Sequence, residues 1–168
     1  IDGFGDFVST SLARGRGRAL TLLDRVYFPH SLGLLYLAVT QYLGFPKYGD
    51  EFKVMGLAPY GEPKYYDRIV RDLVDLRDDG SFRLNMKYFS YQHGTTMTNG
   101  FFEKLFDMPK RDGEGPLDQR HKDVAMSCQK VTEEIVLRMA RHLHAKTGME
   151  NLCMAGGVAL NCVANGRL

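Results

Sequence analysis

What the chain lacks narrows its chemistry first. It has only three cysteines, Cys128, Cys153 and Cys162, among 168 residues. An odd number at wide spacing argues against a disulfide framework, and without a Cys-x-x-Cys pair a zinc site has no support. Cys128 and Cys153 lie in apolar stretches and read as buried structural thiols. Such usage fits a reduced, cytoplasmic protein. No sign of charge dominates: the net charge is +2 with 25% charged residues. A dedicated nucleic-acid binder usually carries a strong basic excess, so no nucleic-acid partner is expected. Nor is a membrane partner expected, because no apolar run reaches the roughly 18 residues of a bilayer span. The best candidate, Leu32 to Leu43, is short and contains Thr40 and Gln41. The opening residues carry no secretory signal pattern. A Gly-x-Ser-x-Gly elbow, a Walker loop and a paired-carboxylate signature are all missing.

What is present suits one domain or most of one: 44% of the residues are hydrophobic. The chain opens at Ile1 and closes at Leu168 inside an expected helix, so it is expected to be a piece of a longer protein, cut at both ends. After a Gly-containing turn at Asp2 to Asp6, alternation predicts a strand over Phe7 to Ala13. Arg14 to Gly17 forms a hairpin connection and Arg18 to Leu23 the return strand. Ser31 caps an apolar helix that runs to about Leu43 and ends at Gly44. A second helix spans Glu51 to Leu57 and is stopped by Pro59. Glu62 to Leu76 reads as an amphipathic surface helix with Ile69, Val70 and Leu73 inward. Ser81 to Ser90 alternates as one or two strands. Gln92 to Pro116 is polar loop around a short helix at Gly100 to Phe106, with mobility expected over 110–115. Asp118 to Thr147 is a long helix whose stripe is Val124, Cys128, Val131, Ile135, Met139 and Leu143. A short buried strand at Asn151 to Ala155, a Gly156-Gly157 turn and a helix from Val158 follow. The order predicts an α/β fold with a mixed β-sheet flanked by helices.

Three stretches carry candidate chemistry. Gly156 and Gly157 join an expected buried strand to a helix start, where free N–H groups and a partial positive charge suit a phosphate or adenylate. Asn161, in the first turn, could reach a ribose or base. On pattern alone a tight strand-to-helix turn that binds nothing is the simpler reading, because Gly-Gly is common. Asp2-Gly3-Phe4-Gly5 offers a phosphate loop, with Asp2 as a metal or water ligand, or an ordinary loop. Lys53, among apolar residues, offers a compact positive charge for a phosphate, or a solvent-reaching lysine beside a helix stop. Of the histidines, His30 at a helix start reads as a polar site group or a cap. His142 and His144 read as solvated, and no pair has the i, i+4 spacing of a helical metal site. Arg14, Arg16 and Arg18 read as a solvated hairpin tip.

Four stretches together resemble one family. They are Pro29-His30-Ser31-Leu32-Gly33-Leu34-Leu35-Tyr36, Phe52-Lys53-Val54-Met55-Gly56-Leu57-Ala58-Pro59-Tyr60-Gly61, Met154-Ala155-Gly156-Gly157-Val158-Ala159-Leu160-Asn161-Cys162, and the opening Asp2-Gly3-Phe4-Gly5-Asp6. In order and spacing they are similar, over essentially the whole chain, to the O-carbamoyltransferases of nodulation-factor and antibiotic biosynthesis. The second and third stretches are the specific ones. Asp123 to Asn161 is also similar to the enzymes that place threonylcarbamoyl on tRNA adenosine.

The resemblance implies that residues 1–168 are part of an actin-like (ribonuclease H-like) ATPase domain, mostly its second lobe. It implies carbamoyl transfer: carbamoyl phosphate and ATP give carbamoyl adenylate in a carboxyl-terminal adenylate-forming domain, and the actin-like domain passes the carbamoyl group to a hydroxyl of a sugar or other small acceptor. It also implies a divalent metal, commonly iron, held by a His-x-x-x-His pair and aspartates. Carried over residue by residue, Asp2 is the metal-ligand candidate, and Gly3 and Gly5 shape its loop. Lys53 is a phosphate or adenylate contact, and Gly156, Gly157 and Asn161 match the nucleotide turn. This chain departs from the pattern in having no His-x-x-x-His pair, so the isolated piece is expected to be inactive. A possible homodimer follows from apolar surface expected at the cut edges. The competing expectations are carbamoyl transfer to tRNA adenosine and a nucleotide-binding actin-like module that transfers nothing.

Overall fold

A computed structural model describes residues 1–113 and 115–168. Glu114, within the run expected to be mobile, lies outside the described residues. Strands β1 (Val8–Arg16) and β2 (Ala19–Tyr27) form an antiparallel hairpin, three to four residues longer at its far ends than alternation indicates. Gly17, at φ 59, supplies the left-handed backbone of its turn. Register shifts between Val8 and Thr10 and between Leu12 and Ala13 mark irregularities in the ladder that alternation could not reveal.

Helix α1 (Leu32–Tyr42) starts where Ser31 accepts a hydrogen bond from Leu34 N, and Gly44 follows it at φ 81. Its buried residues lie on several faces, because it is sandwiched among α2 (Glu51–Leu57), the long helix described below and the turn at Gly157–Leu160. Helix α2 ends at Leu57 as expected, and Pro59 sits in the 3-10 turn that follows, Ala58–Tyr60, at an early position where its missing N–H costs nothing.

The segment from Glu62 to Leu76 is not one surface helix. Only α3 (Tyr66–Arg68) and a π turn (Ile69–Leu73) are helical, and strand β3 (Val74–Leu76) follows. Tertiary bonds explain the late start. Glu62 N donates to Asp123 Oδ1 at 2.9 Å and Tyr65 N to Ser127 Oγ at 3.0 Å, so the first amides are held outward. At the other end Val74 pairs with Leu84 of β4 (Phe82–Leu84) instead of continuing the helix. Ile69 and Leu73 are buried as expected, while Val70 is half-buried. A 3-10 turn (Met86–Tyr88) leads on, and Phe89 bridges Thr98.

Helix α4 (Gly100–Phe106) spans the expected residues. Arg111 fastens the polar run after it to the end of α1, donating to Leu43 O at 3.0 Å. Helix α5 (Gln119–Thr147) is the spine of the molecule. Asp118 and His121 form a capping box at its start, and Gly148, at φ 65, ends it. Val124, Cys128, Val131, Ile135 and Met139 of the expected stripe are buried, and Leu143 is half-buried. Between α4 and α1 lies an aromatic cluster: Tyr42, Phe102 and Phe106 pack with ring centroids 5.2 to 5.5 Å apart. Each such ring, fully buried, contributes about 1.5–3 kcal/mol.

The α/β content holds, but the single mixed sheet does not. The described residues form two separate two-stranded antiparallel sheets, β1-β2 and β3-β4. The run Asn151 to Ala155 is not a buried strand: all five residues are exposed or half-exposed, and Cys153 is an exposed thiol. Its apolar composition fits a strand, yet Ile1 N, bonded to Ala155 O at 2.8 Å, is its one cross-chain backbone link among the described residues. Composition cannot say whether an extended run finds a partner. The expected final helix divides into a 3-10 turn, Gly157–Leu160, and a single α turn, α6 (Cys162–Asn165).

Candidate functional site

The first and last motifs of the chain meet. Ile1 O accepts from Val158 N at 3.2 Å, and Asp2 N donates to Ser9 O at 2.9 Å, so residues 1–2 are stitched between β1 and the glycine turn. The carboxylate oxygen Asp2 Oδ1 accepts from Gly3 N at 2.8 Å and from Gly157 N at 3.2 Å. Gly156 is held at φ 96, and a Cβ there would strike the Ile1 carbonyl. A Cβ on Gly157 would lie 3.1 Å from Asp2 Oδ1. The absence of side chains at 156 and 157 therefore serves this seam directly. Ser31 Oγ completes it, donating to Asp2 O at 3.1 Å while capping α1. Gly33 belongs to the same contact, since a Cβ on it would lie 2.8 Å from Gly3 N.

Gly3 and Gly5 differ from that pattern. A Cβ at either would meet open space. Gly5 instead bridges Val8 across a tight turn whose central residues, Asp6 and Phe7, have φ values of 49 and 62. Two consecutive non-glycine residues in the left-handed region store backbone strain, about 1–3 kcal/mol each.

The turn is not an open anion cradle. Gly157 N is held by the Asp2 carboxylate, Val158 N by Ile1 O and Ala159 N by Gly156 O. The helical pieces behind it are four residues each, far shorter than the helix the sequence suggested, so little aligned dipole stands behind the amides. The Asp2 carboxylate occupies the place at Gly157 that an anionic ligand would take. Asp2 Oδ2 makes no hydrogen bond or ion pair among the described residues.

Asn161 is not a residue of a first helical turn reaching outward but the N-cap of α6. Its Oδ1 accepts from Ala164 N at 3.0 Å and from Gln129 Nε2 at 3.1 Å, and its Nδ2 donates to Gln129 Oε1 at 2.9 Å. Gln129, 1% exposed, has every polar valence used. Its Oε1 also accepts from Tyr36 OH at 3.0 Å, and its Nε2 also donates to Glu133 Oε1 at 3.0 Å. Arg167 closes the network on Glu133 Oε2 at 2.7 Å. Burial pushes the Tyr36 hydroxyl far up, so it remains a proton donor to Gln129. Sequence reading missed Gln129, Glu133, Tyr36 and Arg167. A signal existed: a glutamine and a glutamate four residues apart border the apolar stripe of α5, where uncompensated polar groups are costly.

Lys53 stands apart from this cluster. Its Nζ lies 2.7 Å from Asp50 Oδ1, with the rings of Phe45 and Phe52 at 5.6 and 5.9 Å. That hydrogen bond holds the Asp50 carboxyl below its ordinary range. The motif around Lys53 reaches the glycine turn region through another residue: Met55 Sδ lies 3.7 Å from Cys162 Sγ. Two helix positions apart means about 200° around the axis, so Lys53 and Met55 leave α2 on opposite sides. His30 is a structural tie: its Nδ1 accepts from Leu84 N at 3.1 Å, and its carbonyl accepts from Ser9 Oγ at 2.6 Å. Cys128 is buried and inert, its thiol pushed up to about 12 by burial.

The residues present do not make a metal centre. Among the described residues no group of three His, Cys, Asp or Glu side chains could hold an ion. Asp2 offers one carboxylate, and one carboxylate does not fix a divalent cation. Among the described residues no helix is long and apolar enough to cross a membrane.

The family model described as the carbamoyltransferase N-terminus matches residues 1–168. An uncharacterized protein of Synechocystis is 57% identical over the whole chain, which covers 27% of that relative. The nodulation protein NolO of Bradyrhizobium diazoefficiens is 41% identical over the whole chain, covering 28% of its length. The nodulation protein NolNO of Sinorhizobium fredii is 39% identical, with 23% covered. The chain thus spans about a quarter of the length of these relatives. Matched over residues 1–168 by the model of the carbamoyltransferase N-terminus, this chain belongs to the carbamoyltransferase family.

Proposed function

We propose that the chain is the part of an O-carbamoyltransferase that helps seat carbamoyl adenylate while the carbamoyl group moves to a hydroxyl of a sugar or another small acceptor. In this reading it lies within one lobe of an actin-like domain. Carbamoyl phosphate and ATP supply the adenylate in a carboxyl-terminal domain of the same protein. The acceptor oxygen attacks the carbamoyl carbonyl carbon and forms a new C–O bond. The bond from that carbon to the phosphate oxygen breaks, AMP leaves with the electron pair, and the hydroxyl proton passes to solvent or a base.

The observation that carries the reading is the match of residues 1–168 to the carbamoyltransferase N-terminus, with the opening and closing motifs brought together where Asp2 Oδ1 meets Gly157 N at 3.2 Å. A turn shaped by two glycines permits close approach of an adenylate phosphate, as few side chains would. The phosphate would compete with the Asp2 carboxylate for Gly157 N–H. A divalent metal, iron in this reading, would supply Lewis acidity toward the carbonyl and would take only Asp2 from this chain. Asn161 then acts through its bonds to Gln129, fixing the turn from behind. Lys53 would reach phosphate only by leaving Asp50.

The test uses the full chain, with carbamoyl phosphate, ATP and a sugar acceptor. Asp2→Asn and Asn161→Ala should each lower kcat/KM at least about tenfold, the cost of one charge-assisted or buried hydrogen bond. Hydrogen exchange of α5 should stay unchanged in Asp2→Asn. Wild-type turnover in both variants would refute the assignment of this seam.

A further inference from the structure

A cavity of about 440 Å³ opens on the far side of the hairpin, between β2, the β3-β4 turn and α5. That volume falls in the range of small-molecule sites, roughly 300–1,000 Å³. Its floor is apolar, made by Leu12, Val26, Phe82 and Met139. Its rim carries three guanidinium groups, those of Arg25, Arg77 and Arg83. None of the three side chains makes an ion pair or hydrogen bond among the described residues. The two rim carboxylates are already engaged. Asp24 takes Lys146 Nζ at 2.8 and 3.0 Å and lies 3.5 Å from His142 Nε2. Asp79 accepts from Ser81 N at 2.8 Å. Asp79 keeps its charge, but with Asp24 paired to Lys146 it alone stands against the three guanidinium groups, so the rim is positive.

Two neutral groups add to this. His30 lines the cavity, and its Nδ1 accepts from Leu84 N, so the ring proton must sit on Nε2. Burial, and Arg83 after it, hold the imidazole below its ordinary pKa, so at neutral pH it is an uncharged donor. Thr10, 2% exposed, lies in the same wall, and its Oγ1 is a buried side-chain oxygen without a partner. A native interior seldom leaves such a hydroxyl unsatisfied without a reason.

We propose that this cavity binds a small organic phosphate: an anionic head taken by Arg25, Arg77, Arg83 and the His30 Nε2–H, with an apolar or flat body on the Phe82 and Met139 floor. Guanidinium forks match phosphate oxygens in pairs, and the floor rewards a body that inorganic phosphate lacks. The cavity shares no lining residue with the Asp2–Gly157 seam. The proposal therefore stands independently of the transfer reading.

The test is binding to the full chain at fixed ionic strength, followed through the ring signals of His30 and His142 by NMR. The probes are phenyl phosphate, inorganic phosphate and benzylamine, a cation of similar body. Phenyl phosphate should shift both rings and bind more tightly than inorganic phosphate, and benzylamine should shift neither. Arg83→Gln should weaken phenyl phosphate about tenfold, the scale of one lost charge-assisted bond. Arg16→Gln, at the distant hairpin tip, should leave it unchanged. Ring signals that ignore phenyl phosphate would overturn the proposal, whether another segment fills the cavity or nothing does. Equal binding in Arg83→Gln and wild type would overturn it as well.

Discussion

Phe102 and Gly156 mark two regions that are built in opposite ways. Around Phe102 the chain is regular, apolar and closed: Tyr42 of α1 and Phe102 and Phe106 of α4 are completely buried, with Tyr65 and Phe89 against them. Around Gly156 it is irregular, polar and open. Residues 1–7 and 151–161 are mostly exposed, three backbone positions there have positive φ, and the bonds run between main chain and one carboxylate. The opening and closing family motifs meet in the second region, while the Pro29–Tyr36 and Phe52–Gly61 stretches lie outside it and stability comes mostly from the first. Ser31 serves both, since one hydroxyl caps α1 and holds the Asp2 carbonyl.

If the regions are separable, substitutions should separate their effects. The largest loss of stability is expected from Phe102→Ala, about 3–5 kcal/mol from lost burial and the cavity left behind. In the full chain it should raise hydrogen exchange across α1 and α5, with kcat of the remaining folded protein unchanged; a matching loss of kcat would join the two regions. Gly156→Ala comes next. Backbone strain costs about 1–3 kcal/mol at such φ, and the new methyl group displaces Ile1. Transfer should fall below detection while exchange in α5 stays within twofold of wild type. Ser31→Ala should cost about 1 kcal/mol as a lost cap, and it alone should affect both regions, loosening α1 and lowering transfer severalfold in the same assays.

The smallest effect concerns acid. Burial alone would raise the Asp123 carboxyl, but the bonds from Glu62 N, Gln119 and Lys64 outweigh it and hold it below its ordinary value. A carboxyl depressed in the folded state stabilises above its unfolded-chain pKa, roughly 3.9, and loses that contribution as pH falls through the lower folded value. Asp123→Asn should therefore be less stable than wild type at pH 7 in urea titrations followed by α5 exchange. The gap should close from roughly pH 4 downward; a gap constant down to pH 2 would contradict the shift.

Much of the first region was legible in the sequence. Ser31, Gly44, Asp118 and Gly148 bracket their helices as capping chemistry requires, and the stripe on α5 repeats at three and four. Helix α4 also stands where its polar surroundings isolate it. The second region was legible only as motifs. Gly156 and Gly157 stand out in the sequence for close approach of a ligand, and in the structure Ile1 and Asp2 approach them. Asn161 was read as a ligand contact, and its amide is held by Gln129, 32 positions away. Lys53 was read as a phosphate contact, and its own Asp50 holds it.

The residues alone determined the limits of α1, α2, α4 and α5, the core stripe and the family, because capping, periodicity and motif spacing are local and repeat along the chain. Tertiary structure decided the rest. It set whether Asn151 to Ala155 would pair, how Glu62 to Leu76 would divide, and which partner would claim each polar group of Asp2, Gln129 and Asn161. Those outcomes depend on competition between donors and acceptors far apart in sequence, and that competition is resolved only when the chain has folded.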